Sequence, residues 1–370
     1  MIEGDGEAAG KTKRPSIKDV AALAGVSWRT VSNVIHGHQY LKAETKAKVE
    51  AAIAELGYRP QLAARQLRSG RSNLVTLAVP YIAHPYFASL AHAVVEAAEQ
   101  RGFTVLVNET RGLPELEEKV ARGYRNVLSD GIIFSPLTLG VDAIVAMRDT
   151  TPLVLLGEHT LNSKIDHVSV DNVGSTREAT QHLIDLGYKK IAFLGYLSQG
   201  SLGTADLRLE GYRQALQAAG LREESRRILG SPEDIPSLEF AVGAESDYSR
   251  EEGFARAEHM LSMIDDIDAI VCANDLLAVG VLRRFHLSGI RVPEDVAVVG
   301  WDNTPEGGFS SPTLTTVAPD MQAIARHAVE AIQRRIDNPD APAAGYVAGH
   351  HLVVRESSVG SEALVHPPAA

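Results

Sequence analysis

A single cysteine, Cys272, in 370 residues excludes an intramolecular disulfide framework, and no group of Cys and His side chains has the spacing of a zinc site. That usage fits a protein kept in a reducing cytoplasm. No uncharged apolar run approaches the roughly 18 residues that a spanning helix needs. Residues 1–10 are acidic and lack the apolar core of a signal peptide. A cytoplasmic chain without a membrane segment is expected. Enzyme signatures are missing too: there is no Ser nucleophile elbow and no phosphate loop, and Gly195-Tyr196-Leu197-Ser198 does not make a dinucleotide fingerprint. No cofactor or catalytic residue is expected.

What is present is enough apolar residue, 45% hydrophobic against 22% charged, for two or three packed domains. The net charge of −11 argues against a nucleic-acid protein until its distribution is considered. Residues 11–71 hold twelve Lys and Arg against four Asp and Glu, a net +8, while residues 1–10 carry −3 and residues 72–370 carry −16. A basic head is therefore fused to an acidic body. The head can neutralise phosphates while the body stays off them.

The head divides into three short helices. Ser16-Ile17-Lys18-Asp19 resembles a capping box with Asp in the place of Glu, followed by Ile17, Val20, Ala21 and Leu23-Ala24 on one face and Gly25 as a stop. Ser27 can cap a second helix to about Ile35, with Val31, Val34 and Ile35 inward and Trp28, Arg29, Ser32 and Asn33 on other faces. A third runs from about Ala43 to Leu56, with Ala47, Val49, Ala51, Ile53 and Leu56 as its apolar set and Gly57 as its end. Arg59-Pro60 breaks the helix. Residues 62–67 are too few for a helix stable by itself, and Ser69-Gly70-Arg71-Ser72 reads as a linker.

Beyond residue 72 an apolar strand, a long helix, a Gly turn and another apolar strand recur. Val75–Val79 leads through the Ala88–Gln100 helix to Val105–Val107. Val173–Leu186 leads to Ile191–Leu194, Leu276–Leu287 leads to Val296–Val299, and further runs lie at Gly131–Phe134 and Thr151–Leu156. Continuous apolar runs suit parallel strands covered on both faces. The expected architecture is an N-terminal all-α helix-turn-helix head plus an α/β body of two doubly wound parallel-sheet lobes, with a ligand cleft where strand carboxyl ends meet.

The run from Ser16 to Ile35 resembles the head of the lactose-repressor/galactose-repressor (LacI/GalR) family. Lys48-Val49, Ala54-Glu55-Leu56-Gly57-Tyr58-Arg59-Pro60 and the hinge-like Ala63-Ala64-Arg65-Gln66-Leu67 extend the likeness. In the body it continues through His182-Leu183, Leu186-Gly187-Tyr188, Ala273-Asn274-Asp275, Val299-Gly300-Trp301-Asp302-Asn303 and Leu314-Thr315-Thr316, so that it covers about residues 14 to 358. The resemblance implies a homodimer on a pseudo-palindromic double-stranded operator and a periplasmic-binding-protein-like body whose small-molecule effector, a carbohydrate by preference, alters DNA affinity. It implies a DNA-binding domain at 14–60, a hinge at 61–71 and a body at 72–360. The N-lobe is expected at about 72–171 and 319–346, the C-lobe at 172–318 and 347–358.

By the same resemblance, Arg29, Asn33 and Trp28 reach base edges from a helix in the major groove, with packing on the sugar-phosphate backbone as the alternative for Trp28; Thr30, Ser32 and Tyr58 position phosphates, and Ser16 and Ser27 are further DNA-binding residues. Tyr58 also has the alternative of a lid on the third helix. Ala64 and Leu67 belong to the hinge, with Leu67 as a wedge in the minor groove. Tyr86, Phe87, Arg208, Tyr248, Asn274 and Asp302 fall at positions that line the effector cleft. There, aromatic faces stack on a sugar ring while Arg, Asn and Asp meet its hydroxyls. The alternative readings are an Arg208–Asp302 structural ion pair, Tyr86 and Phe87 as plain cleft wall, Asn274-Asp275 as a helix cap, and Leu67 as an ordinary contact between head and body.

The chain departs from the family pattern at four places. Asn33 stands where many members have Arg, and Lys42-Ala43 open the third helix without the usual Ser cap. Gly157 replaces a common polar or carboxylate residue, with Glu158 and His159 as possible substitutes, and Ser361–Ala370 lacks the leucine heptads of a tetramerising tail. A purine-type corepressor is the alternative effector. A solute-binding protein or an enzyme on the same body is the alternative class, against which the basic head decides.

Overall fold

The structure, a computed structural model, describes residues 15–35, 41–58, 71–124, 129–157, 164–195, 203–223, 227–229 and 248–365. Contacts divide the chain between Ser72 and Asn73 into two compact units. Among the described residues no helix is long and apolar enough to cross a membrane.

In the first unit, α1 (Ile17–Ala24), α2 (Trp28–Ile35) and α3 (Ala43–Leu56) close around Val20, Ala21, Val31, Val34, Val49 and Ala52. The capping box at α1 is formed: the Ser16 amide donates to Asp19 Oδ2 at 2.7 Å and the Asp19 amide to Ser16 Oγ at 3.4 Å. Gly25 ends α1 in the left-handed region at φ 65°, which glycine enters without a Cβ penalty. Ser27 Oγ accepts from the Thr30 amide at 3.1 Å and caps α2. The start of α3 lacks a side-chain cap at Lys42, which leaves it weaker by roughly 1 kcal/mol than a Ser-capped helix. Its inward face differs from the expected one. Val49 and Ala52 are buried, Ile53 and Leu56 pack at the margin, and Ala47 and Ala51 face solvent.

The second unit holds two six-stranded sheets. The first has the order β11-β5-β4-β3-β1-β2, from β1 (Leu74–Val79), β2 (Thr104–Glu109), β3 (Gly131–Phe134), β4 (Leu153–Leu156), β5 (Asp166–Val170) and β11 (Gly345–Ala348). The other has the order β12-β10-β9-β8-β6-β7, from β6 (Ile191–Leu194), β7 (Ile228–Leu229), β8 (Ala269–Cys272), β9 (Ala297–Trp301), β10 (Thr315–Pro319) and β12 (His350–Val353). The first sheet is parallel throughout; in the second, β12 runs antiparallel to β10. Only Gly349 separates β11 from β12, so no crossover helix turns the chain to a parallel approach. The edge strand β2 is not covered as a buried run would be: Leu106 and Val107 are exposed.

The chain passes between the lobes three times. It leaves the first sheet after β5, returns after β10 for the helix Met321–Asp337 and β11, and leaves again at Gly349. These two passages are tied together, because the Asp320 amide donates to the Gly349 carbonyl at 2.8 Å. In the C-lobe, the helices Arg250–Met260 and Asp275–Leu287 meet backbone to backbone. A Cβ on Gly253 would strike the Leu277 carbonyl, and one on Gly280 the Arg250 carbonyl. That close approach sets Tyr248 beside Asn274.

Candidate functional site

On the head, the face expected to meet DNA is built by α2. Trp28 is 53% exposed and Arg29 is also exposed, both in the first turn. Asn33, one turn on, is half-buried. The Ser27 and Thr30 hydroxyls lie 2.9 Å apart at the helix start. Ser32 differs from the expected placement: at 3% exposure it is turned into the head, because α2 buries Val31, Ser32 and Val34 against its neighbours. Tyr58 packs half-buried on the small core. Ser16 is exposed, with its hydroxyl donating to Asp19 Oδ2 at 2.7 Å. Ala64 and Leu67, with the rest of the hinge, lie outside the described residues.

In the body, the strand carboxyl ends of the C-lobe carry a fixed polar set. Arg208, on the helix Thr204–Ala218, is buried; its Nε donates to Asn172 Oδ1 at 2.7 Å, its Nη1 donates to the Ala273 carbonyl, and its guanidinium lies over the Trp301 ring at 3.5 Å. Trp301 is held from behind by its indole N–H, which donates to Ser175 Oγ at 3.0 Å. Asp302 follows at the end of β9 with φ 120°, a conformation side chains seldom adopt, and its amide donates to the Val317 carbonyl at 3.0 Å. This strained residue directly follows Trp301, on which the buried Arg208 stacks.

Asn274 is a helix cap, the alternative reading offered for it, and has an amide donor left over from that cap. It caps the helix Asp275–Leu287, with Oδ1 accepting from the Leu277 amide at 2.9 Å, and its Nδ2 donates to the Tyr248 carbonyl at 3.0 Å. Beneath it, Asp275 is fully buried and gathers the strand ends. It accepts from the Thr304 amide at 2.6 Å, the Thr304 hydroxyl at 3.1 Å and the Thr316 hydroxyl at 2.6 Å. Burial pushes its carboxyl above the usual range, against the pull of those bonds and of Arg355.

The N-lobe contributes the start of the helix Pro85–Glu99. It opens three residues earlier than the Ala88 expected, because Pro85 takes the first turn and His84 caps it. Tyr86 and Phe87 stand edge to face at 5.1 Å, and Phe87 meets His84 in the same way at 5.6 Å. His84 Nε2 lies 3.5 Å from Asn274 Nδ2 and thus touches the opposite lobe. Arg250 and Glu306 pair nearby, with Arg250 Nε donating to Glu306 Oε2 at 3.1 Å. Desolvation chiefly, and Arg250 next, hold the His84 pKa down at about 4 against the contrary effect of Glu306. The ring is neutral at neutral pH.

The structure thus assembles Arg208, Asn274, Tyr248 and Asp302 at the C-lobe rim and Tyr86 and Phe87 opposite them. His84, Asn172, Trp301 and the Arg250–Glu306 pair were not singled out in the sequence. The one usable signal was His84 immediately before a helix-starting proline, the slot of a capping side chain. Gly157 sits at φ 97° with open space where a Cβ would be, while Glu158 and His159 are outside the described residues. A separate groove of about 620 Å³ flanks the helix Asn172–Asp185, walled by Arg177, Glu178, His182 and His350, and takes in none of the expected effector residues.

Comparison with known proteins places both units. Residues 16–61 match the family model of bacterial regulatory proteins, lacI family, and residues 180–358 match that of a periplasmic binding protein-like domain. The HTH-type transcriptional regulator CelR of Thermobifida fusca is 32% identical over 357 residues, covering 94% of this chain and 99% of that protein. A solved transcriptional regulator CelR–cellobiose complex superposes with a TM-score of 0.66 at 30% identity, over 93% of this chain and all of that one. The lac repressor dimer bound to operator and the anti-inducer ONPF superposes with a TM-score of 0.80 at 27% identity, over 94% of this chain and all of that one.

Proposed function

The chain belongs to the lacI family of bacterial regulatory proteins, and on that premise we propose that it is a cytoplasmic repressor whose operator affinity is set by a carbohydrate bound between the lobes of its body. It is a DNA-binding transcriptional regulator and not an enzyme. The observation that carries the effector reading is the buried Arg208, stacked on Trp301 beside Asn274 and facing an aromatic edge from the other lobe. A flat cation–aromatic floor with fixed amide donors suits a ring bearing hydroxyls. A similar regulator solved with cellobiose supports a sugar over other classes. A thermal-shift screen of carbohydrates and nucleobases tests this, since a ligand of the native state raises its melting point. A rise with nucleobases alone would replace the sugar with a purine corepressor.

The working unit is a homodimer, as in the lac repressor dimer on its operator. Two heads on half-sites multiply effective concentration where one offers few base contacts. The 93% exposure of Phe309, with the uncovered Leu106 and Val107 of β2, fits surfaces awaiting a second copy. Light scattering at micromolar concentration should give about twice the chain mass.

For operator reading, Arg29 prefers guanine, and Asn33 pairs with adenine through N6 and N7 where Arg-bearing relatives favour guanine. Site selection from random DNA with wild type and Asn33→Arg decides this, and identical preferences would discard the assignment. Ser16, Ser27, Thr30 and Tyr58 position phosphates, and the hinge around Ala64 and Leu67 folds only when two copies pair over DNA, with Leu67 wedged into a base step. Effector closure around Arg208 and Asp302 shifts lobe spacing and with it the hinge, at a coupling of about 1–3 kcal/mol, or roughly 5–150-fold in operator affinity. Leu67→Ala should weaken operator binding and leave effector affinity intact, and Asp302→Ala should do the reverse.

A further inference from the structure

His84 is asked to accept two hydrogen bonds and can accept one. Its Nδ1 lies 3.3 Å from the Tyr86 amide, which donates to it and completes the cap of the helix Pro85–Glu99. Its Nε2 faces Asn274 Nδ2 at 3.5 Å. The amide of Asn274 cannot be turned round, because Oδ1 already accepts from the Leu277 amide at 2.9 Å and Nδ2 already donates to the Tyr248 carbonyl at 3.0 Å. A neutral imidazole has one ring nitrogen with a lone pair and one with a proton. With Nδ1 accepting, Nε2 carries the proton, and the two groups that meet across the cleft are both donors. Burial, and then the charge of Arg250, keep the ring from protonating, with Glu306 pulling the other way; a protonated ring would be a donor at both nitrogens and would lose its cap as well.

Two N–H groups converging at this distance lack one thing, an oxygen between them. We propose that His84 Nε2–H and Asn274 Nδ2–H form a paired-donor subsite that takes a single hydroxyl oxygen of a carbohydrate effector, one donor coming from each lobe. The inference rests on the reading of the cleft as a sugar site. A hydroxyl oxygen has lone pairs for both donors and relieves their mutual repulsion. Because the donors belong to different lobes, the same oxygen ties effector occupancy to lobe separation. With the oxygen bound to both donors, the two lobes are held at a set separation. His84 is on this reading a binding and specificity residue, one that discriminates against a ring bearing an apolar group or a donor nitrogen at that point.

Two measurements on the full-length protein decide it. The first needs no effector: ring-¹⁵N histidine NMR of the unliganded protein, with the His84 signal assigned by its loss in His84→Ser, should show Nε2 protonated and Nδ1 bare. The opposite tautomer, with Nε2 accepting from Asn274, overturns the proposal. The second uses cellobiose and its monodeoxy derivatives in calorimetric titration of wild type, His84→Ser and Asn274→Ser. Serine keeps an oxygen to cap each helix and removes the N–H that reaches the cleft. In wild type, loss of one particular hydroxyl should weaken binding by roughly 30-fold, and the penalty for that same hydroxyl should shrink at least about threefold in each variant. An undiminished penalty, or variants that point to different hydroxyls, overturns the shared oxygen. Failure of wild type to bind cellobiose counts against that sugar as the probe of the proposed function and leaves the tautomer to decide the donor pair.

Discussion

The two lobes share a sheet order, edge strand by edge strand, yet they hold their cleft rims by different means. In the C-lobe, the rim is a buried polar lattice: Asp275 gathers Thr304 and Thr316, while Ser175, Trp301, Arg208, Asn172 and the Ala273 carbonyl form a second line of contacts. In the N-lobe, the rim is the start of one helix, with His84, Tyr86 and Phe87 in ring contact. Its chief buried carboxylates lie elsewhere. Glu117 accepts from the amides of Leu137, Thr138 and Leu139, and Asp166 accepts from Arg334 and Arg335. A satisfied buried network is rigid, whereas ring contacts slide and tilt. On the proposed function, the C-lobe supplies most of the effector's polar contacts and the N-lobe adds His84 and its aromatic rings.

The sharpest attempt to break that contrast is Asp275→Ala. It leaves an amide and two hydroxyls buried without their acceptor and should cost about 3–5 kcal/mol in urea unfolding. Glu117→Ala also strands three amides, but all three lie in a single loop that can admit water, so it should cost about 2–3 kcal/mol by the same measurement. If the N-lobe variant proves the more damaging, the contrast between lobes fails.

Ser175→Ala is smaller in stability, about 1 kcal/mol, but it frees the Trp301 indole that floors Arg208. Effector affinity should drop several-fold, while Ser310→Ala, on a loop hydroxyl that donates to the Gly307 and Pro312 carbonyls, should leave effector affinity alone.

A further expected effect is one of pH and belongs to the N-lobe rim. The folded His84 titrates near 4 and its ordinary value is 6.5, so between these the unfolded chain binds a proton that the folded one refuses. Stability is full above about pH 6.5 and falls as pH is lowered through that window. The groups facing the ring are Arg250, Glu306, Asn274 and the Tyr86 amide. Urea midpoints at pH 7 and pH 5 should separate more for wild type than for His84→Ser. Equal separations would place the histidine in a wetter setting than its contacts indicate.

Much of this was legible in residue order alone. Ser16 with Asp19, Gly25, Ser27 and Gly57 wrote the head's helix ends, since caps and left-handed stops are local chemistry confined to a turn or two. Alternating apolar runs and helices gave the parallel lobes, and the placement of twelve cations against four anions located the DNA-facing end. Which strands pair across 150 residues, and on which side the chain returns, depends on contacts that no local pattern encodes. That is why β12 came out antiparallel and β2 half bare. The inward turn of Ser32 and the burial of Ala52 instead of Ala51 were settled by how three short helices pack. Most of all, the meeting of His84 with Asn274, residues from separate lobes, exists only in the folded chain. Sequence could supply a capping histidine and a capping asparagine, each satisfied within its own helix. Tertiary structure alone set their remaining donors face to face.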